Sequence, residues 1–169
     1  ILIRLTKLTD TSLIVHWFTE KNGLIRTAAK GARRPKSPFA GKLDLFFSSE
    51  IHWSRSRHSD LHHLRESSPS HCRETIRLNY NSTLLASYFG RLLEASVEPE
   101  HPEPSLYDLL RRGLDHINES GASLRALHHF EHELTRLLGI AVHSTQAATA
   151  LRDSLGKLPN PRSQLLDRL

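Results

Sequence analysis

The chain has 169 residues, with 23 Lys and Arg against 18 Asp and Glu, a formal net charge of +5. Hydrophobic residues make up 38%, and Gly and Pro number eight each, which excludes collagen-like, low-complexity and wholly disordered chains and fits one globular domain or two small ones. No apolar run approaches the ~18 to 20 residues of a membrane span, and the opening ILIRLTKLTD is no signal peptide.

Residues 1–66 read as strands. Ile1–Leu5 is short and β-branched, and Ser12–Thr19 is an apolar, aromatic run of strand length. Lys21-Asn22-Gly23 reads as a turn, with Asn-Gly supplying the positive φ of a tight hairpin, and Leu24–Ala32 returns as a third strand. Pro35 and Pro38 stop that strand, because proline lacks the ladder donor. Leu45–Trp53 is the fourth; its apolar residues do not alternate cleanly, which predicts a bulge or bend. Arg55–Asp60 is a polar turn, and Leu61–Leu64 begins a fifth strand. Five short strands without a helix-length segment predict a small closed or nearly closed barrel over residues 1–68.

From about Glu74 the period becomes helical. Leu84, Tyr88 and Leu92 form one i, i+4 row, and Leu85, Phe89 and Leu93 a second, as in a helix buried against others. Glu98–Pro104 is an acidic, proline-rich breaker. Ser105 with Asp108 reads as the start of a helix running to about Ile117. A third helix spans Ser123 to about Leu138 with Gly139 as its stop, and Gln146–Leu155 forms a fourth. Residues 74–169 are therefore expected to be a small helical bundle, giving a mixed fold of β structure followed by α.

The charge is uneven. Residues 1–65 carry a net +7 and the remaining 104 a net −2. A basic N-terminal module fits a polyanion partner, most simply nucleic acid, though charge alone equally fits a solvated basic face. The densest constellation is Lys30, Arg33, Arg34, Lys36 and Lys42, five bases in thirteen residues, on a loop stiffened by Pro35 and Pro38 and permissive at Gly31 and Gly41. Such a loop meets phosphates at low ordering cost, and Ser37 can add a neutral hydrogen bond. With Arg26, Arg55 and Arg57 nearby, these form the candidate DNA-binding set. Trp17, Phe18, Phe39 and Trp53 are candidates for base stacking. Trp17 and Phe18 lie on opposite faces of one strand, so at least one is expected in the core.

Catalytic patterns fail. Gly31–Ser37 lacks the Gly before Lys that a phosphate loop needs, and Pro35 removes a donor. His128 and His132 are i, i+4, but the Glu of a zinc protease does not follow the first His. His62, His63 and His71 near Cys72 lack CxxC partners, so partly exposed histidines are expected, and no GxSxG elbow occurs. Cys72 stands alone, which excludes an internal disulfide and points to a reducing, intracellular setting. Met is absent, so the native start is expected to lie outside the sequence.

Asp10-Thr-Ser-Leu-Ile-Val, Phe18-Thr-Glu-Lys-Asn-Gly-Leu-Ile and Ala29-Lys-Gly-Ala-Arg-Arg-Pro-Lys-Ser-Pro-Phe-Ala-Gly resemble the N-terminal domain of the RecO family of bacterial recombination mediators. Asp60-Leu-His-His-Leu-Arg-Glu66, Tyr88 with Leu92, and Phe130-Glu-His-Glu-Leu-Thr-Arg-Leu-Leu-Gly139 extend the resemblance to about residue 140. It implies a five-stranded OB-fold barrel followed by a helical domain, with binding of single- and double-stranded DNA and strand annealing. It further implies partnership with RecR, contact with the tail of the single-strand binding protein, help in loading RecA, and a cytoplasmic, nucleoid-associated location. Two departures stand out. Asp10 replaces the usual Glu, and the four-cysteine zinc module of many members is missing after Gly139, where Ile140–Gln146 follows. No zinc or other cofactor is therefore expected, and the C-terminal part is expected to be trimmed or reduced. An acidic, apolar-ended tail peptide needs an apolar pocket and a base, for which Arg91, Arg111, Arg112 and Arg125 are candidates. The rival readings are a protein-interaction adaptor with incidental DNA binding, and a nucleic-acid enzyme. The scatter of the N-terminal acids disfavours the second.

Overall fold

Alternation of apolar and polar residues builds the first half. The strands are β1 (Leu2–Lys7), β2 (Leu13–Thr19), β3 (Gly23–Ala29), β4 (Ser48–Ser54) and β5 (Leu61–His71). They form one sheet in the order β1-β2-β3-β5-β4, antiparallel except where β3 meets β5. The computed structural model describes residues 1–140 and 146–169. Its inward side chains, Leu2, Val15, Trp17, Ile25, Ala29, Phe39 and Leu64, form one buried cluster. The strand ladder does not close into a ring. The Leu2 N–H donates to Phe47 O at 2.9 Å, and the Phe46 N–H donates to Leu2 O at 2.8 Å, which ties the β1 edge to the chain just before β4. Phe46 does this at φ +68 while burying its ring, so burial offsets a backbone state that L-residues avoid.

Gly23 closes the β2–β3 hairpin at φ +64, as the asparagine–glycine pair predicts. A Cβ there would stand 2.0 Å from the His101 carbonyl oxygen. That contact reveals something the sequence does not advertise: the acidic breaker Glu98–Pro102 belongs to the β unit. Pro99 bridges Leu24, and the Glu100 N–H donates to Leu24 O at 2.9 Å. The irregularity expected in β4 is present as two register shifts against β5. In each the extra residue lies on β5: Arg65 between the pairs Trp53–Leu64 and His52–Glu66, and Ser70 between the pairs Ser48–His71 and Ser49–Pro69.

Residues 73–97 and 103–169 form a second compact unit. Its described helices are α1 (Glu74–Leu78), α2 (Tyr80–Ser96), α3 (Pro104–Ser120), α4 (Leu124–Leu137), α5 (Ala147–Leu155) and α6 (Pro161–Leu166). Ser123 caps α4 by accepting from the Ala126 N–H at 3.1 Å, and Asn79 caps α2 through Ser82. The expected cap at Ser105 is not used. Pro104 occupies the first turn of α3, where its missing N–H costs nothing, and Glu103 precedes it without a side-chain cap. The sequence reading missed α6 altogether.

The helical core is centred on Phe89 and Phe130, stacked with centroids 3.7 Å apart and planes 7° from parallel. Gly113, in the middle of α3, lets the pair approach: a Cβ there would lie 3.1 Å from Phe130 and 3.2 Å from Phe89. Beside it is a buried polar node. Glu131 is 1% exposed, accepts from the Tyr88 hydroxyl at 2.6 Å, and forms a two-point ion pair with Arg162 of α6 at 2.6 and 3.2 Å. Burial, then the Glu131 carboxylate, pushes the Tyr88 phenol far above its usual range. No described helix is long and apolar enough to cross a membrane.

Candidate nucleic-acid interface

The basic loop between β3 and β4 is a chain of tight turns. N–H groups of Arg34, Ser37, Ala40 and Lys42 donate to the carbonyls of Gly31, Arg34, Ser37 and Phe39, each three residues back, at 3.0 to 3.2 Å. Ser37 Oγ accepts from the Phe39 N–H at 3.1 Å, so this hydroxyl shapes the loop that carries the bases. Phe39 buries its ring in the β core and anchors the turns. At the other end, the Arg33 N–H donates to Thr11 O, and the Arg33 guanidinium to Asp10 O at 3.1 Å, tying the loop to the β1–β2 turn. Between these anchors Lys30, Arg33, Arg34, Lys36 and Lys42 are all exposed.

The nine sequence candidates separate by what they already hold. Arg26 is ion-paired with Asp60, and Arg55 with Glu100 of the strap at Glu98–Pro102. Lys30, Arg34, Lys36, Lys42 and Arg57 make no ion pair or side-chain hydrogen bond among the described residues. The aromatic candidates are corrected by the structure. Trp17 and Phe18 are wholly buried, Phe39 is a core anchor, and Trp17 Nε1 donates to Thr27 Oγ1 at 2.9 Å. Trp53 is half-buried and stacks on His62, centroids 4.7 Å apart. Both aromatics on β2 are buried because their strand is covered on both sides.

His62 also departs from the expectation of partial exposure. It is buried, Nδ1 accepts from the Ser56 N–H at 3.2 Å, and Nε2 lies 2.8 Å from Glu100 Oε1. Accepting at Nδ1 fixes the neutral tautomer that donates from Nε2. Two residues outside the candidate set line a cleft of about 270 Å³ together with Lys30: His63 and Arg65 of β5, over Ala28, Pro38, Phe39 and Leu64. Strand alternation signals His63, because its neighbours His62 and Leu64 point inward. Arg65 lies at a bulge, which periodicity does not reveal.

In the helical unit, Arg112 and Arg125 line a mostly apolar pocket of about 620 Å³ whose walls include Phe89, Leu109, Phe130, His116 and His129. Arg111 lies outside that lining and is held by Asp108 at 2.7 Å and Asp115 at 3.2 Å; Arg91 is exposed and also outside it. Asp108 also accepts from Arg112 at 2.8 Å, and hydrogen bonds from Arg111 and then Arg112 hold its carboxyl below the usual range. Among the described residues no group of three or more His, Cys, Asp or Glu could hold a metal ion. Most of the segment on which the missing zinc module was read, residues 141–145, lies outside them.

Two family models cover most of the chain: Recombination protein O N terminal matches residues 1–73, and Recombination protein O C terminal matches residues 77–154. The chain belongs to the RecO family. The match to the N-terminal model covers the five-stranded unit and every candidate on the basic loop. Among similar curated proteins are the DNA repair protein RecO of Idiomarina loihiensis, 32% identical over 132 residues, and that of Syntrophotalea carbinolica, 32% over 134. These alignments cover 78% and 79% of this chain, and 56% and 52% of the relatives. The RecO of Rhodopirellula baltica is 29% identical over 91% of the chain and 57% of its own length. The chain thus spans about half the length of the curated relatives it matches.

Proposed function

We propose that this RecO-family chain is a non-enzymatic, DNA-binding recombination mediator acting in the bacterial cytoplasm, at the nucleoid. The observation that carries this is the turn-built loop of residues 30–42. It holds exposed cations without carboxylate partners on a rigid base, beside an OB-like sheet. Phosphates supply the countercharge these groups lack, and a preset loop loses little entropy on meeting them. Single- and double-stranded DNA are both ligands in this reading, because phosphate contacts are common to the two. Annealing of strands and help to RecA, in concert with RecR, are the family-level activities it would serve.

The helical unit supports a peptide role within the same function. The pocket walled by Phe89 and Phe130 offers an apolar seat with Arg112 and Arg125 at hand for carboxylates, the chemistry that the acidic, apolar-ended tail of the single-strand binding protein presents. A salt titration of oligonucleotide binding tests the DNA reading against a pure adaptor. The affinity of a single strand should fall with log salt at a slope of about −0.7 per phosphate contact. An adaptor would bind DNA weakly even at low salt.

A further inference from the structure

We infer that the cleft between β3 and β5 is a single-nucleotide site on the path of a single strand, in which Lys30 and Arg65 hold a phosphate and His63 meets the sugar or base. The inference rests on the DNA-binding reading above and adds to it a position, a ligand unit and two residues, His63 and Arg65.

The backbone makes the cleft. β3 and β5 run parallel for only three pairs, Arg26–Leu61, Thr27–His62 and Ala28–His63. Beyond Ala28 the chain of β3 turns away into the basic loop, while β5 continues beside β4. The gap between the diverging strands is floored by Ala28, Leu64 and Phe39 and edged by Pro38. At this point β5 carries its bulge, with Arg65 as the extra residue. A bulge re-aims a side chain and stands out of the ladder, a device common beside binding sites. The burial pattern records the change: His62 and Leu64 are buried, then Arg65 and Glu66 are both exposed, and Ser67 is buried again.

Polar capacity in the cleft is unspent. Among the described residues the Lys30 ammonium and the His63 ring have no hydrogen-bond partner, and Arg65 uses only Nε, toward Ser54 Oγ at 3.1 Å. That leaves the Arg65 terminal nitrogens and the Lys30 ammonium to meet a phosphate, with an imidazole beside an apolar floor. A phosphate with an attached sugar and unstacked base matches this combination. A bare anion would leave the apolar floor unused, and a duplex keeps its bases stacked and out of reach.

The test uses the full chain, a short oligothymidylate, a duplex of the same length and inorganic phosphate. Arg65→Ala and His63→Ala should each weaken oligothymidylate binding by at least about fivefold, with a smaller effect on the duplex. Arg65→Ala should also flatten the single-strand salt slope by about 0.7. The His63 ring resonances, assigned by their loss in His63→Gln, should shift with oligothymidylate and stay put with inorganic phosphate at equal ionic strength. A shift with phosphate alone would reduce the cleft to an anion site and overturn the nucleotide claim. Unmoved His63 resonances and unchanged affinities in both variants would overturn it too. If Arg33→Ala/Arg34→Ala/Lys36→Ala still weakens binding in that case, the DNA reading survives without the cleft. No binding of any DNA by the unmodified chain would overturn both.

Discussion

The two units treat their arginines in opposite ways. In the helical unit Arg73, Arg77, Arg111, Arg112, Arg136 and Arg162 each hold an Asp or Glu. On the loop of the β unit, Lys30, Arg34, Lys36 and Lys42 hold none among the described residues, and Arg33 holds only the Asp10 carbonyl. A cation paired within its own fold is spent on structure, whereas one left in water on a rigid loop keeps its charge for a partner. The net charges of the two halves point the same way, but pairing is the sharper discriminator. It demotes Arg26 and Arg55, which the sequence ranks with the loop bases and which Asp60 and Glu100 occupy.

If the contrast is real, removing a paired arginine should cost stability. The largest effect is expected at Arg162. Arg162→Ala leaves Glu131 buried with only the Tyr88 hydroxyl, and thermal or denaturant unfolding should register a loss of about 3 to 5 kcal/mol. A loss under about 1 kcal/mol would mean that α6 is not held by this pair. Next, Gly113→Ala adds a methyl group between two rings already stacked on each other. It should destabilise by about 1 to 2 kcal/mol despite the better helix propensity of alanine, and it should weaken any peptide bound in the adjoining pocket. A stabilised variant would show that the rings have room to yield.

The Tyr88 phenol gives the contrast a pH signature. Its folded pKa is raised, so both states keep the proton below about pH 10. Above that the unfolded chain ionises first and the fold loses up to about 1.4 kcal/mol per pH unit from this group. Stability of the unmodified chain should fall more steeply above pH 10 than that of Tyr88→Phe; identical alkaline limbs would contradict the buried node. The smallest effect is at Asp108, whose depressed pKa means its contribution is present at neutral pH and lost as pH falls below about 4. Asp108→Asn should cost less than about 1 kcal/mol, because its pairs are exposed. It should also strengthen binding of a carboxylate-bearing tail peptide by releasing Arg112, and weaker peptide binding would remove Arg112 from that site.

Much of this architecture is readable in the sequence because it is periodic or chemically punctuated. Asn22-Gly23 marks the hairpin, the Leu and Phe rows mark α2, and Ser123 and Gly139 bracket α4. What escapes reading depends on contacts between distant residues. His62 is buried because Glu100 lies 38 positions away and Trp53 covers its ring. The strap Glu98–Pro102 reads as a breaker, since nothing local says that Pro99 bridges Leu24. The six-residue α6 is too short to show a period, and its anchor is the pair between Arg162 and Glu131. The basic loop stands out by composition, yet Arg65 is one arginine among many until its bulge places it beside Lys30.

The central claim is that the unpaired loop bases carry the DNA contact. It is tested most directly by comparing salt titrations of single-strand binding for the unmodified chain and for Arg33→Ala/Arg34→Ala/Lys36→Ala. The account predicts an unchanged melting temperature, because all three side chains are exposed and none holds a carboxylate. It further predicts a salt slope flattened by about 2, for three lost phosphate contacts at about 0.7 each, on every oligonucleotide sequence tried. A folded triple variant with the affinity and slope of the unmodified chain would contradict it.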